Sequence, residues 1–173
     1  MAIDLRKNAG KISLLGFIAF IVSWLIITIA LNQNGHMQEL TTLFAKMDIA
    51  GLKAFYIQYP TPAGLIIADY ICIAAYMAYP IALILFFAVR NEGNKVLNAI
   101  GKVMIAVALF AGLTDLVETT ITTVGAAVDF NIPDTLMKIH IMFTYAKGLI
   151  WLAIVWTAVL AIIMLVRRKA NSL

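Results

Sequence analysis

Asp69, Asp115, Glu118 and Lys147 interrupt long apolar stretches of this chain, and they are the residues best placed to do chemistry. An Asp or Lys at the centre of a membrane helix costs roughly 2.5–3.5 kcal/mol on insertion scales. Such groups therefore face a protein interior and seek partners there. Carboxylates in that setting can bind a proton or a cation, and an ammonium can neutralise one of them. With His140 close by, an acid could also take part in acid–base steps. Fully ionised, the three acids and one lysine leave two uncompensated negative charges. Either a carboxyl keeps its proton, or a bound cation or cationic ligand completes the balance.

Helical spacing gathers further groups around these four. Asp115 and Glu118 stand at i,i+3 and share a face. His140, Thr144, Lys147 and Trp151 recur as one stripe, and Asp69 shares a side of its helix with Tyr76. Pro80 cannot donate to the Tyr76 carbonyl, which predicts an opening of the helix beside that stripe. Thr114, Thr119, Thr122 and Thr123 add hydroxyls near the acids. The expected ligand- or ion-binding set is thus Asp69, Tyr76, Asp115, Glu118, His140 and Lys147. Asp115 and Glu118 bind, Lys147 is the counter-charge, and Asp69, Tyr76 and His140 shape access. No His-x-x-x-His, HExxH, GxSxG or CxxC pattern is present, and an adjacent lysine disfavours a divalent metal, so neither a metal nor a cofactor is assigned. Cys72 reads as a small apolar filler, and Trp24, Trp151 and Trp156 read as packing residues.

Positioning these groups requires membrane helices. Of 173 residues, 63% are hydrophobic and 13% charged, against roughly 45–50% and about 25% in soluble domains. That excludes a cytosolic enzyme, a disordered protein and a secreted disulfide scaffold. Four stretches reach the 20 or so apolar residues a span needs, at about 13–32, 62–89, 96–124 and 136–166. The expected architecture is an all-α integral membrane protein, residues 1–173 forming one four-transmembrane-helix bundle. At 1.5 Å per residue the four charged groups fall roughly 10–15 Å below the outer boundary, a common level on three helices. The first apolar run outlasts the roughly 7–15 residues of a signal h-region and reads as an uncleaved span.

Cations set the expected orientation. Arg6, Lys7, Lys11, Arg90, Lys95, Lys102, Arg167, Arg168 and Lys169 gather at one side, and only Lys46, Lys53 and Lys138 at the other. The positive-inside rule then places both termini in the cytoplasm of a multi-pass cell-membrane protein and removes any need for nucleic acid as a partner. Arg90–Lys95, with Gly93 as breaker, forms a tight turn between spans two and three. Asp134 or Thr135 is the expected cap of span four. Between spans one and two, Met37, Leu40, Leu43, Phe44 and Met47 recur at helical spacing with Asn34 as a cap. Leu52, Phe55, Tyr56 and Tyr59 follow. Two short amphipathic helices at the interface are expected there, aromatics at headgroup level, either as a connector or as a lid over a cavity.

The order of Ala68-Asp69-Tyr70 through Tyr76, then Thr114-Asp115-Leu-Val-Glu118-Thr119, then Phe143-Thr-Tyr-Ala-Lys147 resembles a group of small bacterial four-span membrane proteins. The similarity covers about residues 50–155 and departs at Thr119, where that group carries an amide. The resemblance implies a four-helix membrane fold and a shared polar site, without a particular activity. Three functions fit the residues. The first is a binding or translocation protein for a proton, small cation or lipid-like ligand. The second is an accessory or structural subunit of a larger membrane complex whose polar cluster fixes helix packing. The third is an intramembrane lipid-modifying enzyme. The lipid bilayer is the expected partner, with a homo-oligomer or larger complex where transport is involved.

Overall fold

The computed structural model describes residues 5–33, 36–90 and 95–148, together with Trp156, Val159 and Ile163 singly. Six helices and no strand occur among the described residues: α1 (Leu5–Gln33), α2 (His36–Lys46), α3 (Ile49–Gln58), α4 (Ala63–Arg90), α5 (Lys95–Ala127) and α6 (Asp134–Ala146). Three are long and apolar enough to cross a membrane, over Asn8–Asn32, Ala63–Phe86 and Asn98–Ala127. They correspond to the first three expected spans. Of the fourth, expected over 136–166, α6 supplies the beginning, and Gly148, Trp156, Val159 and Ile163 are helical. The remainder, with Trp151, Arg167, Arg168 and Lys169, lies outside the described residues, as do Asn34 and the turn at 91–94.

α1 packs along α4, α4 against α5, and α5 against α6. The reason is legible in the spacing of the small residues. Ala9, Ser13, Gly16, Phe20 and Ser23 are the buried positions of α1, alternating steps of four and three along one seam. Where lipid is as apolar as leucine, small residues let helix backbones approach and gain dispersion contacts. At Gly16 a Cβ would lie 3.1 Å from the Tyr79 amide nitrogen and 3.2 Å from the Ala75 carbonyl oxygen, so the two backbones nearly touch. Ser23 is satisfied within its own helix, donating to the Ala19 carbonyl at 2.6 Å. Leu14, Leu15, Ile18, Val22, Leu25 and Ile29 face outward, as a lipid-facing surface requires. In α5 the same step pattern runs through Gly101, Met104, Ala108, Ala111, Asp115 and Glu118, all buried. The apolar seam thus leads directly into the acidic pair.

The chain between α1 and α4 folds over one end of the bundle. Asp48 caps α3, its carboxylate accepting from the Gly51 amide at 2.8 Å. Met47 takes a left-handed conformation (φ 52°) to end α2. The aromatics expected at headgroup level turn into the protein. Phe44, Leu52, Phe55 and Tyr56 enter a buried core with Phe130, Ile132, Met137 and Ile141. Tyr56 stacks on Phe130 with ring centroids 4.8 Å apart and planes 10° from parallel. Asp129 and Phe130 both adopt positive φ (48° and 53°), a strained pair of turn residues that drives Phe130 inward. Burying these rings removes more apolar surface from water than an interfacial position would.

The expected cap of the last span is corrected. Pro133 holds the N-cap of α6 and no side chain caps it. Asp134 is instead bound by Lys53, whose ammonium lies 2.7 Å from the carboxylate and donates to the Ile132 carbonyl at 2.6 Å. This clasp ties α3 to the turn before α6. The hydrogen bond from Lys53, and then its charge, hold the Asp134 carboxyl below the usual carboxylate range. A carboxylate lowered in the folded state adds stability that is complete above its unfolded value, about 3.9, and is lost as pH falls through the folded one. Asp134→Asn should therefore lower the thermal transition slightly at neutral pH, in a salt-sensitive manner. That gap from wild type should hold down to about pH 4 and close below it.

Candidate functional site

Asp69 stands about two turns into α4, Asp115 and Glu118 lie on the buried seam of α5, and Lys147 follows the last residue of α6. At Lys147 the helix tightens, the backbone N–H bonding to the Thr144 carbonyl at 3.2 Å. The side chain reaches across to α5. Its ammonium lies 2.8 Å from Asp115 Oδ1 and 3.2 Å from Glu118 Oε1. The other oxygen of Asp115 accepts from the Tyr76 hydroxyl at 2.9 Å, which brings α4 into the same network. Asp69 accepts from the Thr119 hydroxyl at 2.5 Å, which joins α5 to α4. Among the described residues no group of three His, Cys, Asp or Glu is arranged for a metal. The Lys147 ammonium occupies the position a cation shared by Asp115 and Glu118 would take.

These groups line a cavity of about 410 Å³. Asp69, Tyr76, Asp115, Glu118, Thr119 and Lys147 all line it, while Phe20, Trp24, Ile27, Leu40, Phe44 and Leu65 belong to its apolar walls. α1 and α6 lie at the two ends of the row α1–α4–α5–α6, and the cavity lies between them. Lys147 is 34% exposed, toward this space, whereas Asp115 and Glu118 are 5% and 9% exposed. Lys147 thus borders the cavity while holding both acids, and Glu118 Oε2 keeps no hydrogen-bond partner.

Five of the six expected site residues line the cavity. His140 does not: it is buried behind Glu118, 1% exposed as a residue. Its Nε2 lies 3.0 Å from the Tyr56 hydroxyl, and its Nδ1 lies 3.9 Å from Glu118 Oε1, beyond hydrogen-bond reach. Burial, and then the charge on Glu118, push the Tyr56 phenol well above its ordinary range, so it stays a neutral partner for the imidazole. Thr114, Thr122 and Thr123, expected to surround the acids, bond to carbonyls of their own helix instead.

Tyr56 was not expected at the site, and α2 takes the wall position that the lid alternative described. Tyr56 was read as an interfacial aromatic, and only its spacing with Leu52 hinted at a buried face. α2 supplies a wall through Met37, Leu40, Thr41 and Phe44, and it is fastened to α6 by Tyr145, which donates to the Phe44 carbonyl at 3.0 Å. The amphipathic spacing of α2 fits connector and lid alike, and four of its residues line the cavity.

Tyr76→Phe should lower the free energy of unfolding by about 1–2 kcal/mol, because a buried charged acceptor loses its donor. Tyr145→Phe should leave that value nearly unchanged while accelerating amide exchange across α2, since it frees one tether of the wall. Unfolding in mixed micelles and hydrogen exchange by mass spectrometry distinguish the two outcomes. No protein-family model, curated protein or solved structure matches this chain.

Proposed function

We propose that this chain is a four-span membrane protein that binds one lipid-like molecule in the cavity, headgroup against the carboxylate–lysine cluster and tail along the apolar walls. The fourth span is the continuation of α6 along the apolar sequence to Val166. Both termini lie on the cytoplasmic side of the cell membrane, by the distribution of lysine and arginine. The site then lies in the outer half of the bilayer, beneath α2 and α3.

One observation carries this reading: a cavity of about 410 Å³ has a mostly apolar lining into which the carboxylate–lysine cluster is set. Its volume falls within the roughly 300–1,000 Å³ of small-molecule sites. A proton or small cation needs no such apolar space. A cluster that served only to fix helix packing would be closed on every side, yet Lys147 is 34% exposed. That difference favours a ligand site over the role of an accessory subunit. Lipid-modifying catalysis is less well supported, because His140, the group best suited to proton transfer, does not line the cavity.

Native mass spectrometry of the chain released from mild detergent tests the proposal. Wild type is expected to carry about one amphiphile per chain, and Leu65→Trp, which fills the apolar wall, is expected to emerge bare. A bare wild-type chain that also takes up no added amphiphile would contradict it.

A further inference from the structure

The polar cluster lining the cavity has an excess of acceptors, and this decides what kind of headgroup it suits. Lys147 is committed to Asp115 Oδ1 and Glu118 Oε1. The Tyr76 and Thr119 hydroxyls are spent on Asp115 and Asp69. Two acceptors remain. Glu118 Oε2 belongs to a side chain only 9% exposed and has no hydrogen-bond partner. Asp69 has the Thr119 hydroxyl on one oxygen, and among the described residues no ammonium or guanidinium stands within ion-pair distance of it. Both side chains line the cavity. A buried acceptor left unpaired costs about 1–3 kcal/mol, more when it is charged.

What fits is a group that donates several hydrogen bonds and carries positive charge. A protonated primary amine does both, with three N–H donors and no acceptor. Phosphate or carboxylate headgroups would bring further acceptors and negative charge to a site already in excess of both. A hydroxyl supplies one donor and leaves the charge uncompensated. A quaternary ammonium carries the charge without any N–H donor. We therefore infer that the ligand is a single-chain amphiphile with a protonated amine head, held by Asp69 as counter-ion with the negative charge of Glu118 beside it. This rests on the binding function proposed above and deepens it. The apolar walls from α1 and α2 receive the chain.

The test uses matched probes with the full-length protein in neutral-headgroup nanodiscs: dodecylamine, dodecyltrimethylammonium, dodecanol and dodecanoate. Trp24, in the cavity wall, reports binding by fluorescence, and thermal stabilisation provides an independent readout. Dodecylamine is expected to bind at least about tenfold more tightly than dodecanol and the quaternary probe, with dodecanoate weakest. Asp69→Asn should collapse the amine-to-alcohol ratio by about tenfold, and Glu118→Gln should reduce it in the same direction. Equal binding of amine and alcohol by wild type, or a preference for dodecanoate, would overturn the amine assignment while leaving a ligand-binding cavity. Failure of all four probes to bind would overturn both the assignment and the binding function beneath it. The wild-type ranking decides the matter even where a variant fails to fold.

Discussion

An ammonium in an apolar surrounding must be met by carboxylates, and the polar cluster of this molecule is arranged around that need. Lys147 takes Asp115 and Glu118 together. The three groups lie on two helices, so their attraction joins α6 to α5, and Tyr76 extends the connection to α4. Desolvating any one of them alone would cost several kcal/mol, which is why none is left without an opposite charge or a donor nearby. Asp69 follows the same logic with a hydroxyl in place of a cation. The outcome is a network that binds three helices and, fully ionised, carries more carboxylates than cations.

Packing accounts for the space beside that network. α1 meets α4 through Ala9, Ser13, Gly16 and Ser23, and α5 approaches α4 with Gly112 against Met77. Close contact of this kind is available only where side chains are small. Toward the α2 end the walls become Phe20, Trp24 and Ile27, whose bulk cannot nest as closely, and the helices enclose a cavity there. α2 closes one side of it, and the Lys53 clasp and the Phe130 stack anchor the adjoining α3. Helix association and the cavity are thus two consequences of how residue size is distributed along α1 and α5.

The first three spans were legible in the sequence because apolar runs of the right length have few alternatives. The charged residues were legible because they violate those runs. Asp115 and Glu118 sharing a face with one another, and Lys147 with Thr144, followed from helical spacing alone. What spacing cannot reveal is which distant surfaces meet. Tyr56 and His140 are 84 positions apart, and their hydrogen bond exists because α3 folds back onto α6. Asp134 looked like a cap, and Lys53 claims it from another helix. The threonines were equivalent by composition, and only Thr119 faces an acid on a neighbouring helix. The aromatics between α1 and α4 fit an interfacial helix equally well until the Asp129–Phe130 turn provides the ring against which they pack.

A double-mutant cycle between Asp115→Leu and Lys147→Met tests the central constraint most directly, measured as unfolding free energies in a lipid-containing medium. Lys147→Met leaves both carboxylates without their cation, Asp115→Leu leaves the ammonium with Glu118 alone, and the double variant loses the Asp115–Lys147 attraction only once. The account predicts that the double variant is less destabilised than the two single changes added, by roughly 1–3 kcal/mol. That falls below the 3–5 kcal/mol of breaking a fully enclosed pair because Lys147 opens onto the cavity. Simple additivity of the two changes would contradict it.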